Sequence, residues 1–548
     1  MNKRMFTAVL LTIYALQYVA ITAVAQIASN QSTRQPANIA GSSVAFKFDP
    51  LLQPRIVVDV SINGQRPLPF MVDTGMAAEL LIDNAAADKL SLVADLQKNP
   101  VHIGNIEARH TQVASANLGD GSGDPANNAL MRLHCTNGVL IADLGIIRPG
   151  LSREPIVGLI GIDALLDHIY RIDFVRHRIH IFSTKANARI GTPRLSYISS
   201  GTLVRSVTLP LTSSARDRRY RVQLTLENGE HQDMVIDTGA EQTNISVVAA
   251  QRLKPINCKS VGQASAYGMT ITPTMLLSSV KLGSLELRNV TVASIPDSPM
   301  GNPLGIDVIS RFETTLDLPD EQVIFEERSA EIRVNRTAGY TGVHLTNING
   351  QIRIAEVDTG SPAKIAGVTP QCVVTSVDGT QTAGLSIITL RKLVDGFADS
   401  TCIFELIRSD GEPQSIKLRR SCEFAKPSVP FDGLFVVVAP HQSMQVMGTL
   451  HNSAAEAAGL HIGDEIIEIN GIPTKDITSE TLGGAYRKQH LALTVVKHDT
   501  KQTVKIVLNT GYRASAPQAT KSGQVGVSLY RTGIQSPVTL TSNKQVVQ

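Results

Sequence analysis

Residues 57–75 read VVDVSINGQRPLPFMVDTG and residues 221–239 read RVQLTLENGEHQDMVIDTG. Each stretch alternates apolar and polar residues, meets Asn-Gly, rises through a second apolar run and ends in Asp-Thr-Gly. That pattern predicts a β-hairpin whose second strand delivers an acidic residue at its end. Gly64 stands 9 residues before Asp73 and Gly229 stands 8 before Asp237, so the copies align with one inserted residue. Downstream come Leu159-Ile160-Gly161-Ile162-Asp163 and Leu304-Gly305-Ile306-Asp307. Each is followed by a further strand pair, YRIDFVRHRIHIF from 170 and TTLDLPDEQVIFEE from 314. From Asp to the downstream glycine is 88 residues in the first copy and 68 in the second. The difference is expected in the loop-rich segment 118–137, which holds GDGSGDPANN. The unit is therefore duplicated.

A duplicated unit that packs about a pseudo-twofold brings Asp73 and Asp237 face to face. Two carboxyls in contact cannot both ionise cheaply, so they share one proton over a wide pH range. The ionised member then acts as general base on a water, and the protonated member polarises a carbonyl and later protonates the leaving amine. Such chemistry calls for no metal and no cofactor. Thr74 and Thr238 supply hydroxyls that lock one loop to the other. Gly75 and Gly239 are expected to let the chain turn sharply beside each carboxylate. A third Asp-Thr-Gly, at residues 358–360, lacks the upstream Asn-Gly hairpin and reads as a turn.

A second repeat fills the C-terminal third. Ser361-Pro-Ala-Lys-Ile-Ala-Gly367 aligns with Ser453-Ala-Ala-Glu-Ala-Ala-Gly459 at an offset of 92, which also superposes Gly379 on Gly471. Two related modules are expected over 336–424 and 430–510, joined through EFAKPSVPFDG (423–433), with a tail over 511–548.

The chain of 548 residues has room for roughly three to four domains. Its 43% hydrophobic and 18% charged residues favour folding over disorder. Net charge is only +3 and aromatics only 4%, which excludes a general nucleic-acid binder. Lys3 and Arg4 precede an apolar run, Phe6 to Ala25, that ends Ala23-Val24-Ala25. These are the parts of a signal peptide over 1–25, followed by a linker over 26–45. Thr7, Thr12, Gln17 and Thr22 count against a permanent span. The mature protein is expected to be exported, to the periplasm or beyond the cell, with no stable membrane span. The five cysteines show no C-x-x-C, and Cys402 with Cys422 is one candidate disulfide across a hairpin turning at Asp410-Gly411. No G-x-S-x-G and no H-E-x-x-H occurs.

Over residues 46–328 the sequence resembles retropepsin-like aspartic proteases of bacterial origin, duplicated in one chain like the pepsin-type bilobal enzymes. The resemblance implies a mainly β fold: a bilobal, acid-protease-like β-barrel pair, with lobes at 46–190 and 200–328. It implies catalytic Asp73 and Asp237, supported by Thr74, Gly75, Thr238 and Gly239. Gly161 in Leu159-Ile160-Gly161 and Gly305 in Pro303-Leu304-Gly305 prop the two catalytic loops. A polypeptide substrate follows, and Tyr267-Gly268 falls where a flap would close on it. Ala240 fits the family pattern after the glycine, whereas Met76 departs from it and either crowds the dyad or lines a subsite. The C-terminal modules resemble small α+β PDZ domains, with the fuller signature, Ile462-Gly463-Asp464-Glu465-Ile466-Ile467, in the second. PDZ domains bind protein C-termini by strand addition, with a backbone loop taking the carboxylate. The corresponding loops are Gly342-Val343 and Gly433-Leu434. The alternative is a catalytically inactive peptide-binding scaffold.

Overall fold

In a computed structural model, the structure describes residues 42–509 except 52, 104–105, 120–130, 137, 146–155, 184–204, 215–216, 254–256, 266–267, 296–300, 328–337, 386, 423–432, 439–443, 450–452 and 478–489. The expected signal peptide, the tail, most of the inserted loop and Tyr267 lie outside these residues. Among the described residues no helix is long and apolar enough to cross a membrane.

The fold is mostly β. In the first Asp-Thr-Gly unit, strand Gln53–Ile62 turns through Asn63 and Gly64, both at positive φ (51° and 70°), into strand Leu68–Asp73. A turn with two left-handed residues matches the twist of a hairpin, which is why Asn-Gly suits it. The strand carrying Asp73 is then flanked on its other side by the parallel strand Gly158–Gly161, which pairs Gly161 with Asp73. The second unit repeats this. Strands Asp217–Thr225 and His231–Ile236 pair antiparallel, and Asn302–Leu304 runs parallel to the latter, with Ile236 opposite Leu304. Ile56, Val58, Val60 and Ile62 face one core cluster, while Val57 and Met71 face another, so both sides of the Asp73 hairpin are buried.

One six-stranded sheet joins the two units. Its middle pair is His168–Asp173 against Phe312–Asp317, one strand from each unit, with Ile169 opposite Asp317. The larger core is continuous across it, containing Tyr170 and Ile172 from one unit and Leu316 and Phe325 from the other. Ser42–Ala45, expected as linker, is a strand of this sheet. It pairs with Arg178–Ser183 and buries Val44.

The C-terminal modules repeat one plan. In the first, strands Val343–Ile348, Gln351–Val357, Val373–Val377, Thr401–Ile407 and Pro413–Arg419 form the sheet in that order. In the second the order is Leu434–Val438, Met444–Thr449, Glu465–Ile469, His490–Val496 and Thr503–Asn509. The repeated serines have a shared local reason. The Ser361 and Ser453 hydroxyls accept the N–H of Lys364 and Glu456, each at 3.2 Å, and cap the short helices Pro362–Ile365 and Ala454–Ala457. Cys402 and Cys422 are both free thiols. The hairpin register sets Cys402 opposite Leu418 and buries it, while Cys422 pairs with Gly339, so they do not meet.

Candidate active site

Asp73 and Asp237 end equivalent strands, and the two loops interlock. The Thr74 hydroxyl donates to the Ile236 carbonyl at 2.7 Å and the Thr238 hydroxyl to the Val72 carbonyl at 2.7 Å. Each threonine hydroxyl also accepts the other's backbone N–H, at 3.2 Å from Thr74 and 3.0 Å from Thr238. Both threonines are buried. These four bonds satisfy groups that burial would otherwise leave costly.

The glycines serve a different purpose from the one expected. Neither Gly75 nor Gly239 has positive φ, so no sharp left-handed turn is needed. Instead each Cα packs on the opposite carboxyl: a Cβ added at Gly75 would overlap Asp237, and one at Gly239 would overlap Asp73. Space, not backbone freedom, demands glycine here.

The two carboxyls, half-buried and close enough to influence each other's ionisation, are not equivalent. Asp73 Oδ1 accepts one backbone N–H, from Gly75 at 3.0 Å. Asp237 Oδ1 accepts two, from Gly239 at 2.8 Å and Ala240 at 2.9 Å. Burial raises the Asp73 pKa well above the ordinary range, and the Asp237 charge adds to it. Burial raises Asp237 too, but its backbone N–H donors oppose the rise. The geometry therefore favours a proton on Asp73 and charge on Asp237.

Gly161 and Gly305 brace the loops from behind. The Gly161 N–H donates to the Glu79 carbonyl at 3.0 Å, and the Gly305 N–H to the Thr243 hydroxyl at 3.0 Å. A Cβ at Gly161 would overlap the Ala78 carbonyl, and one at Gly305 the Gln242 backbone. The next residues match across the units: Ile162 N–H donates to Met76 and Ile306 N–H to Ala240, each at 2.9 Å. The Met76 side chain is buried in a core cluster with Ala78, Leu81 and Leu159.

Several residues at the site carry no local sequence signal. Buried Arg55 pairs with Glu241 across the two units at 3.2 Å, and its charge opposes the pKa rise of both aspartates. Lys392, on helix Ile387–Asp395 of the first C-terminal module, reaches the same Glu241 at 3.6 Å. Asp163 and Asp307 occupy matching positions with different partners. Asp163 pairs with Arg218 of the other unit at 2.6 Å. Asp307 accepts the Thr243 N–H and hydroxyl at 2.9 and 2.8 Å, and burial pushes its pKa up to about 6.

The expected peptide-binding loops each stand at the start of their module's first strand. Gly342 has φ +82° and no room for a side chain beside Ser361, and buried Val343 gives its N–H to the Thr341 hydroxyl at 3.3 Å. Gly433 has φ +70° and Leu434 is fully buried. The third Asp-Thr-Gly is a turn, where Asp358 accepts the Tyr340 hydroxyl at 2.5 Å and meets His344 Nε2 at 2.7 Å. Among the described residues no group of three or more His, Cys, Asp or Glu could hold a metal ion.

Residues 223–311 match the family model described as "gag-polyprotein putative aspartyl protease", and residues 424–496 match that of the PDZ domain. No curated protein matches the chain. Among solved structures, a retropepsin-like aspartic protease from Rickettsia conorii is 17% identical, with 24% of this chain and 96% of that one covered, at a TM-score of 0.19. The PDZ domain of a carboxy-terminal protease from Vibrio cholerae, solved with a peptide, is 16% identical over 16% of this chain and 94% of that one, at a TM-score of 0.15. A photosystem II D1 C-terminal processing protease is 24% identical over 17% of this chain, at a TM-score of 0.16. The match spans a quarter of that protease's length, 25%. Two segments of the chain thus resemble known families, residues 223–311 an aspartyl protease and residues 424–496 a PDZ domain.

Proposed function

We propose that the protein is an exported aspartic endopeptidase built from two lobes, each giving one carboxyl, followed by two PDZ modules that dock peptide or partner. The observation that carries this is the reciprocal lock: two threonines each bonded to the other loop, with each glycine packed on the opposite aspartate. In the proposed mechanism Asp237 takes a proton from water as the water attacks the scissile carbonyl. Asp73 hydrogen-bonds the carbonyl oxygen and donates its proton to it, giving a neutral tetrahedral diol. Asp237 then passes its proton to the leaving nitrogen, and Asp73 recovers one as the carbonyl re-forms. The dyad starts and ends the cycle with one proton.

Asp73→Asn and Asp237→Asn are each expected to lower cleavage of a diverse peptide library at least about 1,000-fold while unfolding at the wild-type denaturant midpoint. Full activity in both variants would sink the dyad. Export rests on residues 1–25. Its check is the amino-terminal sequence of protein recovered outside the cytoplasm, which should begin at Gln26, whereas an intact Met1 would contradict cleavage.

A further inference from the structure

The second C-terminal module does not present its first strand to solvent. Leu434–Val438 is the terminal strand of the module's own sheet, next to Met444–Thr449. Its other edge is taken by the protease-type unit. Met269, Thr270 and Ile271 of the long strand Gly268–Leu282 pair antiparallel with Val438, Val437 and Val436. The same segment is the second strand of a hairpin with Asn257–Ser265, so residues 269–271 lie between that strand and the module.

The polarity of this pairing is informative. Because Ile271 faces Val436 and Met269 faces Val438, the hairpin strand runs toward Gly433. A chain end that adds to a PDZ edge runs the same way, antiparallel and with its carboxylate toward the loop before the strand. The module is held to the unit by other contacts as well. Phe435 is buried in the unit's core, Met447 packs against that core, and Gln251 Nε2 donates to the Thr449 carbonyl at 3.2 Å. These contacts do not involve the paired segment 269–271, so the module can remain docked when the strand leaves.

We propose that the hairpin strand is the resident ligand of the second module, and that polypeptides with a free carboxy terminus bind there by displacing it. A tethered occupant acts at high effective concentration, so it lowers the apparent affinity for an incoming peptide by the fraction of time the edge is vacant. Displacement frees a hairpin of the aspartate-bearing unit. On the protease reading above, that couples partner binding to cleavage.

The probe is a fluorescein-labelled hexapeptide with the sequence of residues 267–272, Tyr-Gly-Met-Thr-Ile-Thr, ending in a free carboxylate. Full-length wild type is compared with Thr270→Pro, which weakens the resident pairing, and with Thr270→Cys/Val437→Cys oxidised by glutathione disulfide, which fixes it. Thr270→Pro should bind the hexapeptide at least tenfold more tightly than wild type, with the amidated peptide at least tenfold weaker. The oxidised double variant should bind none and recover on reduction. Equal affinity for the wild-type, reduced and oxidised proteins would overturn the proposal, as would failure of the cysteine pair to cross-link. Binding and cross-linking are read without cleavage. A wild type that cleaves nothing would therefore defeat the protease proposal and leave this one standing or falling on its own result.

Discussion

The two Asp-Thr-Gly loops share a backbone plan and differ in how they solvate their carboxyls. Thr74 and Thr238 make matching bonds, and Gly75 and Gly239 each make room for the opposite aspartate. Yet Asp237 accepts two backbone N–H groups where Asp73 accepts one. A symmetric frame thus holds an asymmetric pair. The added N–H, from Ala240, stabilises charge on one side and leaves the proton to the other. Duplication within one chain permits this, because each copy can vary separately.

The glycines give the largest expected break in that comparison. Gly75→Ala should displace Asp237 and Gly239→Ala should displace Asp73, each costing about 100-fold or more in kcat/KM, since small misplacements of reacting groups cost that much. The two should differ in pH profile: Gly75→Ala disturbs the acid limb and Gly239→Ala the alkaline limb. Identical profiles would argue against separate roles. The threonines give the smaller effect. Thr74→Val and Thr238→Val each orphan a buried backbone N–H and carbonyl, for about 1–3 kcal/mol in urea unfolding. The double variant should cost less than the sum, because the bonds are shared. Single-variant costs that differ by much more than about 1 kcal/mol would break the twofold.

Local sequence made the strands legible and left the contacts between units dark. Asn63-Gly64 is readable because its two positive φ values require such residues. The Ser361 and Ser453 caps are readable because they bond three residues on. Gly75 was legible as a requirement but not for its reason, since the atoms it must clear belong to a residue 162 positions away (237 − 75). Arg55 with Glu241, Lys392 with Glu241, and the strand pairing of Ile271 with Val436 follow from how folded units dock. No periodicity within a window of a few residues encodes such docking. The expected Cys402–Cys422 bridge failed for a related reason: the turn was located, but the register that decides which residues face each other depends on the whole sheet.

The shared proton is tested most directly by kcat/KM for one peptide substrate of the wild type, followed from about pH 3 to 9. On the proposed mechanism Asp237 must lose its proton, so the rate should rise on the acid side as it ionises. Asp73 must keep its proton, so the rate falls on the alkaline side when it ionises. Burial raises both groups, and the Asp237 charge raises Asp73 further, which moves the alkaline limb well above the ordinary carboxylate range. The account predicts a bell with two such limbs. A profile with one limb, or none, would contradict it.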